Sequence, residues 1–331
     1  MSAWPEWAVA AVVGFIVLNA VIGMVTYVTL LERKFAARMQ SRIGPYRVGP
    51  HGLLQPIADA VKLMMKEDVV PTLADRPVYN LAPIVFLIPC MLIFATMPFA
   101  PGLGVADLNI GILFFLAVSA MEIVGLFMAG WGSNNKYALL SAMRAVNQII
   151  SYDLPFIFVA LVPVVLAGSL RLSDIAQAQT GFFGAFIFYP VVGQLAFIAY
   201  IVTTLAAENR VPFDILEAES ELVAGFRVEY SGMKFALIQL GEYAHAIGTS
   251  FLGALLFLGA WSGPGPAWLG PLWFLLKAMA VFLLITWVRW SFVRIRVDQI
   301  LAISWKLMLP ASLLLLMATA AWVGWRSAGG A

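Results

Sequence analysis

Charge is what this sequence has least of. Asp, Glu, Lys and Arg make up 11% of its 331 residues, whereas a soluble domain carries about 25%. Hydrophobic residues make up 62%, more than a water-soluble fold can hide behind the polar surface available here, so lipid must solvate most of the chain. Cysteine is nearly absent. Cys90 stands alone in an apolar run, and one thiol makes neither an internal disulfide nor an iron–sulfur ligand set. The two histidines, His51 and His245, lie far apart and give no metal or haem signature. GxGxxG after a strand, the P-loop and CxxC are all missing, which excludes motif-based nucleotide binding and a bound redox centre in the chain itself. A net charge of +2 is too small to indicate a nucleic-acid partner. The N-terminus lacks a basic n-region and a small-residue cleavage site, so it reads as a first span rather than a removed signal peptide.

What the sequence has instead is long apolar runs. A membrane-crossing helix needs about 20 mostly apolar residues. Eight stretches meet that length, at roughly 8–31, 79–98, 109–130, 145–168, 186–207, 235–261, 272–290 and 303–324. No low-complexity linker or break in composition divides them, so the pattern predicts one all-α integral membrane domain over 1–331. With the N-terminus outside, 17 of the 20 Lys and Arg residues fall in the odd-numbered loops. Basic loops stay on the cytoplasmic side, which places both termini on the outer, periplasmic-type side.

Two inner loops are long. In the first, Leu54, Ile57, Val61 and Met64 recur at helical spacing, with Asp59, Lys62 and Lys66 on the other face. This predicts an amphipathic surface helix over about 53–67. It is either a connector floating on lipid or a doorway for an apolar ligand arriving from the bilayer. Just before it, Gly-Pro pairs force turns that hold Arg38, Arg42 and Arg47 near the surface, to dock a soluble subunit or steady an anionic headgroup. His51 reads as a surface histidine.

The fifth loop, about 208–234, carries Glu208, Asp214, Glu217, Glu219, Glu221 and Glu229 against Arg210 and Arg227. In a helix Asp214, Glu217 and Glu221 share a face; in an extended chain Glu217, Glu219 and Glu221 do. Crowded carboxylates raise one another's pKa values, a property useful to a proton relay. The plainer alternative is a solvated acidic loop docking on a basic partner. Ionisable residues also stand inside spans: Glu122, Asp153, Glu242, His245 and Lys277. Such residues cost about 2.5–3.5 kcal/mol at a span centre and usually face protein interior or a hydrated path. Interhelical pairing of Glu122 or Glu242 with Lys277 is the structural alternative. Pro155, two residues after Asp153, leaves the Ser151 carbonyl without its helical donor and free for water or a side chain.

Four stretches, LLERKFAARMQSRIGPYRVGPHGLLQPIADAVKLMMKED, AGWGSNNKYALLSAMRAVNQIISYD, AAENRVPFDILEAESELVAGFRVEYSGMKFAL and VRIRVDQILAISWKLMLP, together resemble the H subunits (subunit 1 in mitochondrial naming) of proton-pumping NADH:quinone oxidoreductase, respiratory complex I. The resemblance covers essentially the whole chain. It implies eight core spans at the junction of the hydrophilic and membrane arms, in a bacterial inner membrane or an organelle inner membrane. It implies a tunnel for quinone, ubiquinone or menaquinone, with the surface helix at its entrance and Arg33, Lys34, Arg38, Arg42, Asp59, Lys62 and Phe226 along it. Asp59, Glu208, Asp214, Glu217, Glu219, Glu221 and Glu242 match carboxylates that link the quinone cavity to a proton path, which Glu122 and Asp153 would extend. Flavin and iron–sulfur clusters would belong to partner subunits, alongside small and antiporter-like membrane subunits. Three positions depart from the family: Asp153 where Glu is usual, Glu122 where many members have a small residue, and Val293 where Pro is common. Two other readings are a membrane anchor of an energy-converting hydrogenase and, in a different class, a stand-alone ion transporter or scaffold.

Overall fold

The computed structural model of the protein describes residues 6–179, 181, 184–216 and 219–329. The described residues form helices and turns, with a single isolated bridge, Ala100 to Leu103, as their only β pairing. In chain order the α-helices are α1 (Glu6–Met39), α2 (Gln55–Met65), α3 (Arg76–Leu92), α4 (Gly111–Ala120), α5 (Glu122–Gly132), α6 (Lys136–Ala167), α7 (Leu172–Ala178), α8 (Val192–Ala207), α9 (Glu219–Leu222), α10 (Gly232–Phe257), α11 (Gly270–Ser291), α12 (Val297–Ile303) and α13 (Leu309–Gly329).

Among the described residues, six helical segments are long and apolar enough to cross a membrane: Ala11–Met39, Arg76–Thr96, Gly111–Gly132, Lys136–Ala167, Gly270–Ser291 and Val297–Ala328. Helices also stand at the other two predicted spans. The 16 residues of α8 reach about 24 Å, short of the ~30 Å hydrocarbon thickness. The 26 residues of α10 are long enough, but Lys234, Glu242 and His245 make it less apolar. Both exceptions carry or border site residues. Two predicted spans are also internally broken: Met121 separates α4 from α5, and a π-helical turn over Ser304–Met308 joins α12 to α13.

Helix α10 lies at the centre, packed on α3 and α11, while α3 packs on α5, α5 on α6, and α6 on α8 and α13. Its second half, from Ala244 to Phe257, is buried throughout. The crossing of α3 and α5 is close because glycine permits it: a Cβ at Gly125 would collide with the Phe86 backbone nitrogen. Small residues let membrane helices approach in this way, and the approach sets Cys90 of α3 opposite Glu122 of α5.

Two helix prolines are compensated from elsewhere in the chain. Pro155 frees the Ser151 carbonyl, which accepts from Ser304 Oγ at 2.6 Å, as the sequence led one to expect of some side chain or water. Pro83 frees the Tyr79 carbonyl, which accepts from Tyr230 Oη at 3.1 Å. Tyr79 Oη in turn donates to the Glu229 carbonyl at 2.7 Å, and the two rings stack at 4.3 Å. The end of the acidic loop is thereby pinned to α3.

The surface helix α2 follows a turn over Pro50–Gly52, close to its predicted place. Ile57, Val61 and Met64 are exposed, the arrangement of a helix whose apolar face meets lipid.

Candidate functional site

A cavity of about 200 Å³ lies between α5, α10, α11 and the segment after α8, lined by Glu122, Glu208, Arg210, Arg227, Glu242, Tyr243, His245 and Arg289 among apolar neighbours that include Phe86, Leu126 and Leu216. Its charges are arranged in pairs. Glu32 Oε1 lies 2.5 Å from Arg289 and Glu32 Oε2 lies 3.8 Å from Arg210. Arg210 Nε lies 3.1 Å from Glu208 Oε2, while Glu208 Oε1 accepts from Thr249 Oγ1 at 2.5 Å. The Arg210 guanidinium also stacks 5.4 Å from the Tyr243 ring. Arg227 holds Glu242 at 2.8 Å. His245 Nδ1 lies 3.2 Å from Glu122 Oε2. Glu32, Glu208 and Arg210 side chains are 4%, 2% and 8% exposed; at such burial a charge persists only when compensated. Glu208 stands just past the end of α8. Burial pushes its carboxyl above the ordinary value, and the Arg210 charge and the Thr249 hydroxyl only partly offset that.

Two further cavities adjoin. One, about 260 Å³, lies between α1, α2 and α10; its wall is apolar (Ile22, Val25, Leu63, Met64, Met233, Leu237 and Leu240 among others) with Arg33, Asp59, Gln239 and Tyr243 as polar members. The other, about 280 Å³, is lined by Glu32, Arg33, Ala36, Arg42, Pro45, Tyr243, Arg289 and Trp290. Tyr243 is part of all three walls. The series therefore runs from an apolar end, past Arg33, Arg42 and Arg289, to an end where three carboxylates meet three arginines. This is a form suited to a long apolar molecule with a polar head. Among the described residues, no group of three or more His, Cys, Asp or Glu could hold a metal ion.

Three predicted relay carboxylates, Glu122, Glu208 and Glu242, come together in the acidic cavity. Asp59 belongs instead to the apolar cavity, hydrogen-bonded by Arg33 at 2.5 Å and by Gln55 at 3.1 Å, with Lys62 at 3.7 Å. Its partial burial pushes its carboxyl up, but these hydrogen bonds and the two cations outweigh that and hold it below the usual carboxylate range. Arg42 lines the middle cavity, whereas Lys34 donates to the His51 carbonyl and Arg38 is exposed. Asp153 is half-buried and outside the three linings. Asp214 is half-buried, within the electrostatic reach of Arg289. Phe226 is buried in the core rather than on a cavity wall.

Two expectations are corrected. The Glu221 carboxyl is lowered in pKa, not raised. It faces Arg144 at 2.8 Å and Arg294 at 3.4 Å, and the Arg144 hydrogen bond holds its carboxyl below the ordinary value. Lys277 pairs with neither Glu122 nor Glu242. Its ammonium donates to the carbonyls of Leu258 at 2.6 Å and Ser262 at 2.5 Å, just past the end of α10, where unsatisfied carbonyls and the helix dipole favour a cation. Glu217 lies outside the described residues, as does the side chain of Glu219, whose backbone opens α9.

Reading the sequence alone missed Glu32, Tyr243 and Arg289, and left Arg210 and His245 without a role. One signal was present: opposite charges at the ends of three apolar runs, Glu32 after the first, Glu208 and Arg210 after the fifth, and Arg289 at the end of the seventh.

A family profile described as NADH dehydrogenase matches residues 12–320. The chain is 47% identical to the H subunit of NADH-quinone oxidoreductase from Dehalococcoides mccartyi, over 95% of this chain and 87% of that protein. It is 44% identical to the H subunit from Geobacillus kaustophilus over 98% of both chains, and 42% identical to the one from Polaromonas naphthalenivorans over 97% of this chain and 92% of the relative.

Proposed function

The chain belongs to the NADH dehydrogenase family of NADH:quinone oxidoreductase membrane subunits, and from that premise we propose that its linked cavities guide quinone and convert its reduction into proton movement. The observation that carries this reading is the shared wall at Tyr243, where an apolar cavity, a cationic one and an acidic one meet. A quinone tail suits the apolar lining between α1 and α2, and its polar head suits the arginines beyond. The surface helix α2 forms the doorway, steadied by Arg33 on Asp59. Electrons arrive from iron–sulfur subunits of the hydrophilic arm, fed by flavin, and leave no redox centre to be held in this chain.

The residues supply the coupling. When the headgroup is reduced and takes up protons or transient negative charge, the field at the nearest carboxylates changes, and their proton affinity with it. Glu208 is poised for this, being buried and only partly compensated by Arg210. Asp214, Glu217, Glu219 and Glu221 extend the path on the loop side. Glu242, Glu122 and Asp153 extend it into the membrane, towards antiporter-like neighbours. Eight spans, counting α8 and α10, place both termini on the outer side of an energy-transducing membrane.

The test uses membrane vesicles carrying the assembled complex. Asp214→Asn and Glu219→Gln are each expected to lower protons moved per electron while the complex still forms. If both variants keep quinone reduction and pumping intact, the relay reading fails. A tagged chain purified in mild detergent is expected to bring iron–sulfur partners and inhibitor-sensitive NADH:quinone activity with it.

A further inference from the structure

The acidic cavity contains titratable groups that a relay of carboxylates leaves unused. His245 Nδ1 lies 3.2 Å from Glu122 Oε2, and Cys90 Sγ lies 3.4 Å from the same oxygen. Both the imidazole and the carboxylate are 7% exposed, and both line the cavity. Each stands at the middle of its segment, Glu122 within Gly111–Gly132 and His245 within Gly232–Phe257, so the pair sits mid-membrane. There an ionisable group is costly unless it serves a path or a partner. His245 also follows Glu242 by three residues, which puts carboxylate and imidazole in succession on one face of α10.

We propose that Glu122 and His245 together form a single-proton holding site, through which a proton delivered by the cavity carboxylates passes on. The inference rests on the relay reading above and adds to it the residue that receives the proton. Imidazole suits the task because one ring nitrogen accepts while the other donates. A proton from Glu242 or cavity water enters at Nε2, and the Nδ1 proton moves to Glu122 Oε2. The carboxyl is then neutral, and its proton leaves when the next acceptor is ready. One proton enters and one leaves, and no electron moves. The thiol of Cys90 is a weak donor to the same oxygen and keeps the carboxyl in place between transfers. The charged groups that face the pair are Glu208, Arg210, Arg227, Glu242 and Arg289 across the cavity and Asp153 from α6, so their state shapes its pH response as well.

The experiment compares His245→Gln, Glu122→Gln and the double variant in vesicles holding the whole complex. Protons moved per NADH oxidised and the pH profile of coupled turnover are read, normalised to assembled complex. Glutamine at 245 keeps a hydrogen-bond donor for Glu122 but cannot carry a proton across its ring position. The expected result is a loss of pumping per electron in His245→Gln that matches Glu122→Gln, a double variant no worse than either single one, and a missing step in the pH profile. A His245→Gln enzyme with the wild-type ratio and profile would overturn the proposal and leave the pair as interhelical packing. Should His245→Gln not assemble, His245→Asn carries the same test, since its amide nitrogen can stand where Nδ1 stands and donate to Glu122 while no proton can cross it. Failure of Asp214→Asn and Glu219→Gln to change pumping counts against the relay instead, so the two readings fail separately.

Discussion

Arg210 lies between two buried carboxylates, Glu32 at 3.8 Å and Glu208 at 3.1 Å, and its charge offsets part of the cost of burying them. Removing one member of such a group strands the others and costs about 3–5 kcal/mol. Arg210→Met is therefore expected to lower the thermal midpoint of the detergent-solubilised complex, and pairing it with Glu208→Gln is expected to recover part of the loss. Equal midpoints for Arg210→Met and wild type would show that the charges are solvated instead. At this scale Glu122, Glu208 and Glu242 were legible in the sequence, because an acid in or beside an apolar run is expensive and so has a reason to be there. Glu32 was not. It is followed by Arg33 and Lys34, where a charge looks like an ordinary solvated span end. Only Arg289, 257 positions away, reveals its burial. No local spacing carries that information.

Among the elements, α2 shows how much a pattern can deliver. Its apolar stripe placed the helix, and the Asp59–Arg33 contact supplies the docking. The Asp59 carboxyl is held below its unfolded value, so the docking stability it contributes is present above the ordinary carboxylate range and is lost as pH falls through the lowered value. Hydrogen-exchange protection over residues 55–65, taken relative to the intrinsic amide rate at each pH, is expected to be high near neutral pH and to fall in acid; Asp59→Asn is expected to be weakly protected at both, and a well-protected, pH-independent Asp59→Asn helix would contradict this. The π-turn at Ser304–Met308 shows what a pattern cannot deliver. Pro155 announces a freed carbonyl, but the partner, Ser304, comes from 153 positions later. Ser304→Ala leaves that buried carbonyl without its donor, at a cost of about 1–3 kcal/mol, measurable as a lower unfolding midpoint. At the α3–α5 crossing, Gly125→Ala places a Cβ against the Phe86 backbone and is expected to part Cys90 from Glu122. Overpacking of this kind costs about 1–3 kcal/mol, which thermal unfolding of the variant complex would register.

At the scale of the whole molecule, the helices divide by task. The six apolar segments provide the lipid-facing frame around α10, which packs at their centre. The short α8 ends within the protein and delivers Glu208 and Arg210, while the polar α10 delivers Glu242, Tyr243 and His245 to the cavities. The long apolar runs and the amphipathic stripe of α2 were readable because periodicity and composition report on polarity along the chain, and the family was readable from the four stretches that resemble it. The meeting of three cavities at Tyr243 was not readable, because it depends on how α1, α2, α10 and α11 lean together. Coupling of quinone chemistry to proton movement by the acidic cavity is the central claim. Its direct measurement is protons moved per electron in proteoliposomes containing the complex with Glu208→Gln, normalised to assembled enzyme and compared with wild type under the same quinone load. Fewer protons per electron are predicted while electrons still reach quinone; a full wild-type ratio in that variant would contradict the coupling.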